Sequence, residues 1–303
     1  MRKTRLFRWI MVAAAATALL VASAYGLVGT RVAPGHPGTA PGATTHRLPA
    51  PDYAPLKAML EEYVASQDAT YAIYFRDLTS GASFGINDRE PITAASTVKV
   101  PVVLYLNHLV ARGKASWDDR VVYNSALDYQ DGAGILQFAA RDGDSYSLRT
   151  LANLAITISD NVAYRMLVRH LGKDNIAAFM RDLGGEMVFP EGRNITCAAD
   201  MAKYVQGVLD FSRDYPALGT RLLDDMAHPI YHVGLPGKLP PGLVVAHKEG
   251  DVSGVANDVG VVFTSRPYIL VVLSKNVPDI DEGFARIADI SKMVYDYQLK
   301  VAA

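Results

Sequence analysis

The sequence predicts an α+β protein, an antiparallel sheet flanked by helices and joined to an all-helical subdomain. Segments rich in Val, Ile and Tyr occur near both ends of the folded part. The middle, from about residue 96 to 242, reads as helices. The chain has 303 residues, half of them hydrophobic, enough for a sizeable core. Strands at both ends around a helical insertion bring the termini into one sheet half (residues 53–95 and 243–303) and leave a helical half (96–242), with a cleft between them.

The first 32 residues are set apart. Arg2, Lys3, Arg5 and Arg8 precede an apolar run from Trp9 to Val28, the pattern of an export signal. Ala22-Ser23-Ala24 offers a cleavage site, yet the run is also long enough to span a bilayer uncut, so signal peptide and membrane anchor both stay open. In either case the basic flank stays inside and the remainder lies outside the cytoplasm. Residues 33–52, with eight Pro and Gly between Pro34 and Pro51, form an extended tether.

From Tyr53 to Val64 apolar residues recur at helical spacing. Thr70 to Asp77 and Ala82 to Ile86 read as a hairpin around Thr79-Ser80-Gly81. Val100 to Leu109, almost wholly apolar, reads as a buried helix with Pro101 near its start. Asp128 to Leu136 is a glycine-bearing loop in which Tyr129 is a candidate cleft residue. Helices follow at Leu148 to Ile158, Val162 to Leu171, Asn175 to Leu183, Ala198 to Phe211 and Leu218 to Met226. Strands follow at Leu243 to Lys248, Val259 to Thr264 and Tyr268 to Ser274, and Phe284 to Leu299 closes as a helix.

Composition excludes some classes. Lys and Arg number 30 against 31 Asp and Glu, giving net charge −1, which argues against a nucleic-acid partner. Cys197 is the single cysteine, so there is no internal disulfide, and it reads as a buried small hydrophobe. No Cys/His cluster has metal-ligand spacing, and neither a metal nor another cofactor is expected.

Three short motifs carry chemistry. Ser96-Thr97-Val98-Lys99 opens the apolar helix, and a spacing of three puts both polar groups on one face. Serine is weakly nucleophilic until a base takes its proton, and a desolvated lysine can be that base. Ser159-Asp160-Asn161 lies between two helices, where Asp160 suits a capping role. Lys248-Glu249-Gly250 ends an apolar strand. Each is weak alone, but Ser-x-x-Lys, then Ser-Asp-Asn, then Lys-x-Gly in that order resembles the penicillin-recognising serine hydrolases, most closely the class A β-lactamases.

The resemblance covers residues from about 53 to the C-terminus and implies the sheet-plus-helical-subdomain fold of class A β-lactamases and D,D-peptidases. It implies that Ser96 attacks a carbonyl, that backbone N–H groups of Ser96 and Asp251 hold the oxyanion, and that Ser159 relays a proton to the leaving nitrogen. Asn161 binds the substrate amide and orients Lys99, while Lys248 tunes the field around Ser159. Glu249, Gly250 and Asp251 complete the substrate-binding set. The expected partner is a small β-lactam or a peptidoglycan stem peptide, bound by a monomer.

Two departures qualify this. Relatives carry Thr or Ser where this chain has Glu249, whose carboxylate either repels a substrate carboxylate or turns out of the cleft to pair with a cation. Both readings stay open. Ser253 in the next turn is a substitute hydroxyl, and His247 faces away if Lys248 faces the cleft. Class A enzymes also carry a Glu-x-x-Leu-Asn loop whose glutamate activates the deacylating water. Residues 184–196 contain no such motif, only Glu186 and Glu191. The Asn194-Ile195-Thr196 sequon reads as chance. Slow deacylation follows. A D-alanyl peptidase and a non-catalytic binding module on the same scaffold are the alternatives.

Overall fold

The structure is a computed structural model that describes residues 51–302. The predicted signal or anchor, and the tether as far as residue 50, lie outside the described residues. Asp52, expected in the tether, already belongs to the folded unit: its carboxylate accepts the Ala54 amide at 2.9 Å and its carbonyl accepts the Tyr297 hydroxyl at 2.6 Å.

Five strands form one antiparallel sheet: β1 (Thr70–Asp77), β2 (Ser83–Ile86), β7 (Val244–Val252), β8 (Val255–Phe263) and β9 (Tyr268–Lys275), ordered β2-β1-β9-β8-β7. Both faces are covered, so β8 and β9 are buried along nearly their whole length and mostly apolar rather than alternating. Along β9, Tyr268, Leu270 and Val272 pack toward α1 (Ala54–Ala65) and α10 (Ile280–Ala302). Ile269, Val271 and Leu273 pack toward the helical half. A one-residue slip would exchange the two cores, so the register is tightly specified.

In the helical half, α2 (Lys99–Ala111) is buried along most of its length and is surrounded by α5 (Leu148–Thr157), α6 (Asn161–Leu171), α7 (Lys173–Asp182), α8 (Ala198–Asp214) and α9 (Pro216–Ala227). Short helices α3 (Ser125–Asp128) and α4 (Leu136–Ala139) lie in the segment before α5. Among the described residues no helix is long and apolar enough to cross a membrane.

The antiparallel sheet flanked by helices is as the sequence predicts, with helix and strand ends extended by a few residues. Sequence reading missed two small ladders. β4 (Arg120–Val122) pairs with β5 (Ser145–Ser147), and β3 (Ile92–Thr93) pairs with β6 (Ile195–Thr196). Two- and three-residue strands carry too few side chains to show a period. The β3–β6 ladder fastens the 184–196 segment to the chain just before Ser96.

Candidate active site

Ser96 does not sit in the first α-helical turn but in a 3-10 turn, Ala95–Val98, that runs into α2 at Lys99. Ala95 holds φ at +49°, a left-handed conformation that costs a non-glycine residue about 1–2 kcal/mol. The turn is held from three sides. Asn257 on β8, fully buried, donates from Nδ2 to the carbonyls of Thr93 (2.9 Å) and Ala94 (3.2 Å). Asn194 donates to the Ala95 carbonyl at 3.0 Å, and the Ala94 amide donates to the Asn194 carbonyl at 2.9 Å. On the third side is the edge strand β7. A Cβ added to Gly250 would lie 2.6 Å from the Ser96 nitrogen and 2.8 Å from that of Thr97, so only glycine permits this approach. Gly250→Ala is expected to push strand and turn apart and to slow acylation of Ser96 while leaving the circular dichroism spectrum intact; single-turnover labelling measures it.

Neither Asn257 nor Asn194 was singled out for the site by its sequence context. Asn257 lies in an apolar strand and Asn194 in a sequon read as chance. The one available signal was a buried-strand asparagine, a residue depleted in strands.

Lys99 Nζ lies 2.9 Å from Ser96 Oγ, 3.0 Å from Ser159 Oγ, 2.6 Å from the Ser159 carbonyl and 2.8 Å from Asn161 Oδ1. Its side chain is buried, and desolvation, helped by the nearby Lys248 charge, lowers its pKa from 10.5 to about 6. At neutral pH it is therefore largely a free amine with two N–H donors and one lone pair. The Ser159 carbonyl and Asn161 Oδ1 only accept, so they take the two N–H groups, and the lone pair is left for a serine hydroxyl. Asn161 is oriented for this because its Nδ2 donates to the Asp131 carbonyl at 2.8 Å.

The Ser-Asp-Asn triplet is itself constrained. Ser159 holds φ at +57°, a second left-handed non-glycine residue beside the same lysine. Asp160 faces away from Lys99: its carboxylate accepts the amides of Ala163 (2.8 Å), Ile135 (2.8 Å) and Leu136 (2.9 Å). It thus caps α6 and anchors the glycine loop, where Gly134, at φ +102°, leaves no room for a Cβ against Asp160. The Asp160→Ala variant is expected to lose about 2–4 kcal/mol through the lost cap and unpaired amides, read by denaturant unfolding. Tyr129 is largely exposed, and the loop meets the site through Asp131 and Ala133, whose carbonyl accepts the Asn161 amide.

Lys248 is buried, and its pKa is lowered to about 8 by desolvation. Its Nζ donates to the Glu249 carbonyl at 2.6 Å. Ser159 is not among its hydrogen-bonded partners, so its influence on the site is through the field it places on Lys99. Asp251 follows on the edge strand and is exposed.

For Glu249 the substrate-facing expectation is corrected. Strand alternation puts its side chain on the face opposite Lys248, where it is buried and accepts the Val233 and Gly234 amides, each at 2.8 Å. Of the two readings left open, the outward one holds, although the partners are amides rather than a cation. His247 turns the same way, as expected, toward Asp258. Ser253 lies exposed in the β7–β8 turn. Cys197 is buried, as predicted.

The two acidic residues of the shortened loop are engaged elsewhere. Glu186 pairs with Arg89 and with Lys203 (3.2 Å), and its side chain is 63% exposed. Glu191 pairs with Arg193 at 3.0 Å and is 80% exposed. Neither contacts Ser96 or Lys99.

The profile of the beta-lactamase enzyme family matches residues 55–298. The chain belongs to that family. It is 24% identical over 274 residues to the extended-spectrum beta-lactamase PER-1 of Pseudomonas aeruginosa, covering 81% of this chain and 88% of that one. Among solved structures, PBP-A superposes with a TM-score of 0.76 at 29% identity, covering 82% of this chain and 97% of PBP-A. A point mutant of PBP-A, solved as an acyl-enzyme complex with penicillin G, superposes at 0.75 with 29% identity, covering 81% and 97%. The beta-lactamase of Sphaerobacter thermophilus gives 0.72 at 26% identity, covering 81% and 97%. The fold of this chain is accordingly that of class A beta-lactamases and PBP-A.

Proposed function

We propose that this beta-lactamase-family protein is an exported serine hydrolase that forms an acyl-enzyme on Ser96 with β-lactams or related amides and releases it slowly. The observation that carries this reading is the free-amine geometry of Lys99, whose lone pair is left for the Ser96 or Ser159 hydroxyl. In the acylation step Lys99 Nζ takes the Ser96 hydroxyl proton as Oγ bonds to the substrate carbonyl carbon. The carbonyl electron pair moves onto oxygen, which the Ser96 and Asp251 amides stabilise. Collapse breaks the C–N bond, and the leaving nitrogen takes its proton through Ser159, which Lys99 re-protonates. Asn161 and the β7 edge hold the substrate, and Lys248 favours an anionic one.

The pH dependence follows from the two lysines. Below about pH 6 Lys99 is protonated and cannot accept the serine proton; above about pH 8 Lys248 loses its charge. The acylation rate is therefore expected to rise through about 6 and fall through about 8, measured as second-order labelling rate against pH. A rate that stays flat down to pH 4.5 would remove Lys99 from the base role. The same shift costs stability: the folded pKa lies below the unfolded one, so the penalty is full below about pH 6 and fades as pH rises toward the unfolded value of about 10.4.

A second reading, a D-alanyl peptidase acting on peptidoglycan stems, is favoured by the lack of any carboxylate bonded to Ser96 or Lys99 among the described residues. Hydrolysis of a penicillin and of a D-alanyl-D-alanine peptide, compared as kcat/KM on the same preparation, separates the two. Turnover of neither, with no adduct on Ser96, would instead indicate a binding module. Export is supported by the basic start, apolar run and Pro/Gly tether of the sequence, and a tagged C-terminus reachable only from the cytoplasm would overturn it.

A further inference from the structure

On the face of β7 opposite Lys248, four side chains with metal-ligand chemistry converge. His247 and Glu249 come from β7, Asp258 lies directly across from Glu249 on β8, and His232 comes from the segment between α9 and β7. One ligand atom from each of His247, Glu249 and Asp258 falls within 4.8 Å of the others, and all three residues are buried. His247 Nδ1 lies 3.0 Å from both Asp258 oxygens, and its Nε2 lies 3.4 Å from His232 Nδ1.

The two carboxylates share this buried site with His247 as their paired basic group. Glu249 Oε1 accepts the Val233 and Gly234 amides, and Asp258 Oδ2 accepts the Leu235 amide at 2.6 Å. Among the described residues no lysine or arginine forms an ion pair with either. A pair of facing buried carboxylates is costly unless a proton or a bound cation compensates it.

The imidazole geometry suits a bound cation. With Nδ1–H donated to Asp258, His247 presents the Nε2 lone pair to His232, and a carboxylate on the far nitrogen is the usual partner of a metal-ligating histidine. Zinc bonds to nitrogen of about 2.0–2.1 Å at tetrahedral angles place neighbouring donors about 3.3 Å apart, close to the separation seen here. We propose that His247 and His232 bind one divalent transition-metal ion of the zinc class, with Asp258 orienting His247 and with Glu249, whose carboxylate lies within 4.8 Å of a His247 ring nitrogen, closing on the ion as the third ligand. Imidazole and carboxylate donors suit such an ion, and the exposed ring of His232 gives it a route from solvent. Bound there, it fastens residues 232–235 to the strand that carries Lys248 and Gly250, a structural role independent of whether Ser96 is acylated.

The test uses the purified protein equilibrated with Zn2+ and dialysed against metal-free buffer, with zinc per chain read by mass spectrometry and affinity by competition with a chromogenic chelator. One zinc per chain is expected, with affinity weakened at least about tenfold in His232→Ala and in Glu249→Gln, and a visible tetrahedral absorption band when Co2+ replaces zinc. His232 is on the surface, so its variant decides the matter even if Glu249→Gln fails to fold. Zinc lost on dialysis, or equal affinity in the parent and His232→Ala, would overturn the site.

Discussion

Ser96→Ala is expected to abolish covalent labelling by penicillins, and Lys99→Ala to slow it by at least about a hundredfold, the lower range of a lost general base. The two changes act differently. Removing Oγ eliminates the atom that bonds the acyl carbon, so no adduct forms at any time. Removing Nζ leaves the nucleophile in place but takes away the group 2.9 Å from it that accepts its proton, and leaves the Ser159 carbonyl and Asn161 Oδ1 without their donor. Some of the Lys99→Ala loss will therefore be structural. Lys99→Arg helps separate the two effects, since a guanidinium supplies donors but is always charged and cannot act as base. Intact-mass spectrometry over time reads all three; labelling of Ser96→Ala at the parent rate would refute the assignment.

A penicilloyl adduct, once formed, is expected to persist. Ester hydrolysis needs a base beside the attacking water, and such a base is worth about 10² to 10⁴ in rate. Glu186 is held below the ordinary carboxylate range by Lys203 and Arg89, and both it and Glu191 point into solvent. Among the described residues, Lys99 is the basic side chain hydrogen-bonded to Ser96 and so the candidate to activate water. The parent protein should thus show a stable mass addition on Ser96 after a brief exposure to penicillin G, and Glu186→Gln and Glu191→Gln should leave its lifetime unchanged. Rapid turnover without an accumulating adduct, lost in either variant, would show that the shortened loop does supply the base.

The chemistry was legible in the sequence because Ser96, Lys99, Ser159 and Asn161 fall in short motifs whose local spacing already fixes their direction. A spacing of three on one face presents Ser96 to Lys99, and the Ser-Asp-Asn turn has Asp160 for its cap. The sheet half was legible for a related reason: β1, β9 and the second half of β8 are rich in Val, Ile and Tyr. Glu249 was ambiguous because alternation fixes only that it opposes Lys248, not what waits on that side; the Val233 and Gly234 amides that bind it come from a different segment. Asn257 and Asn194 were invisible as site residues, since their value lies in carbonyls of residues 93–95 that are distant in sequence. By itself the sequence determined the fold class, the order of the three motifs and the candidates for nucleophile and base, through apolar patterning and the resemblance that the three motifs carry together. Only the tertiary structure decided the desolvation that frees the Lys99 amine, the close passage of Gly250 past Ser96 and the gathering of His232, His247, Glu249 and Asp258, because burial and contact between remote segments are properties of the packed chain.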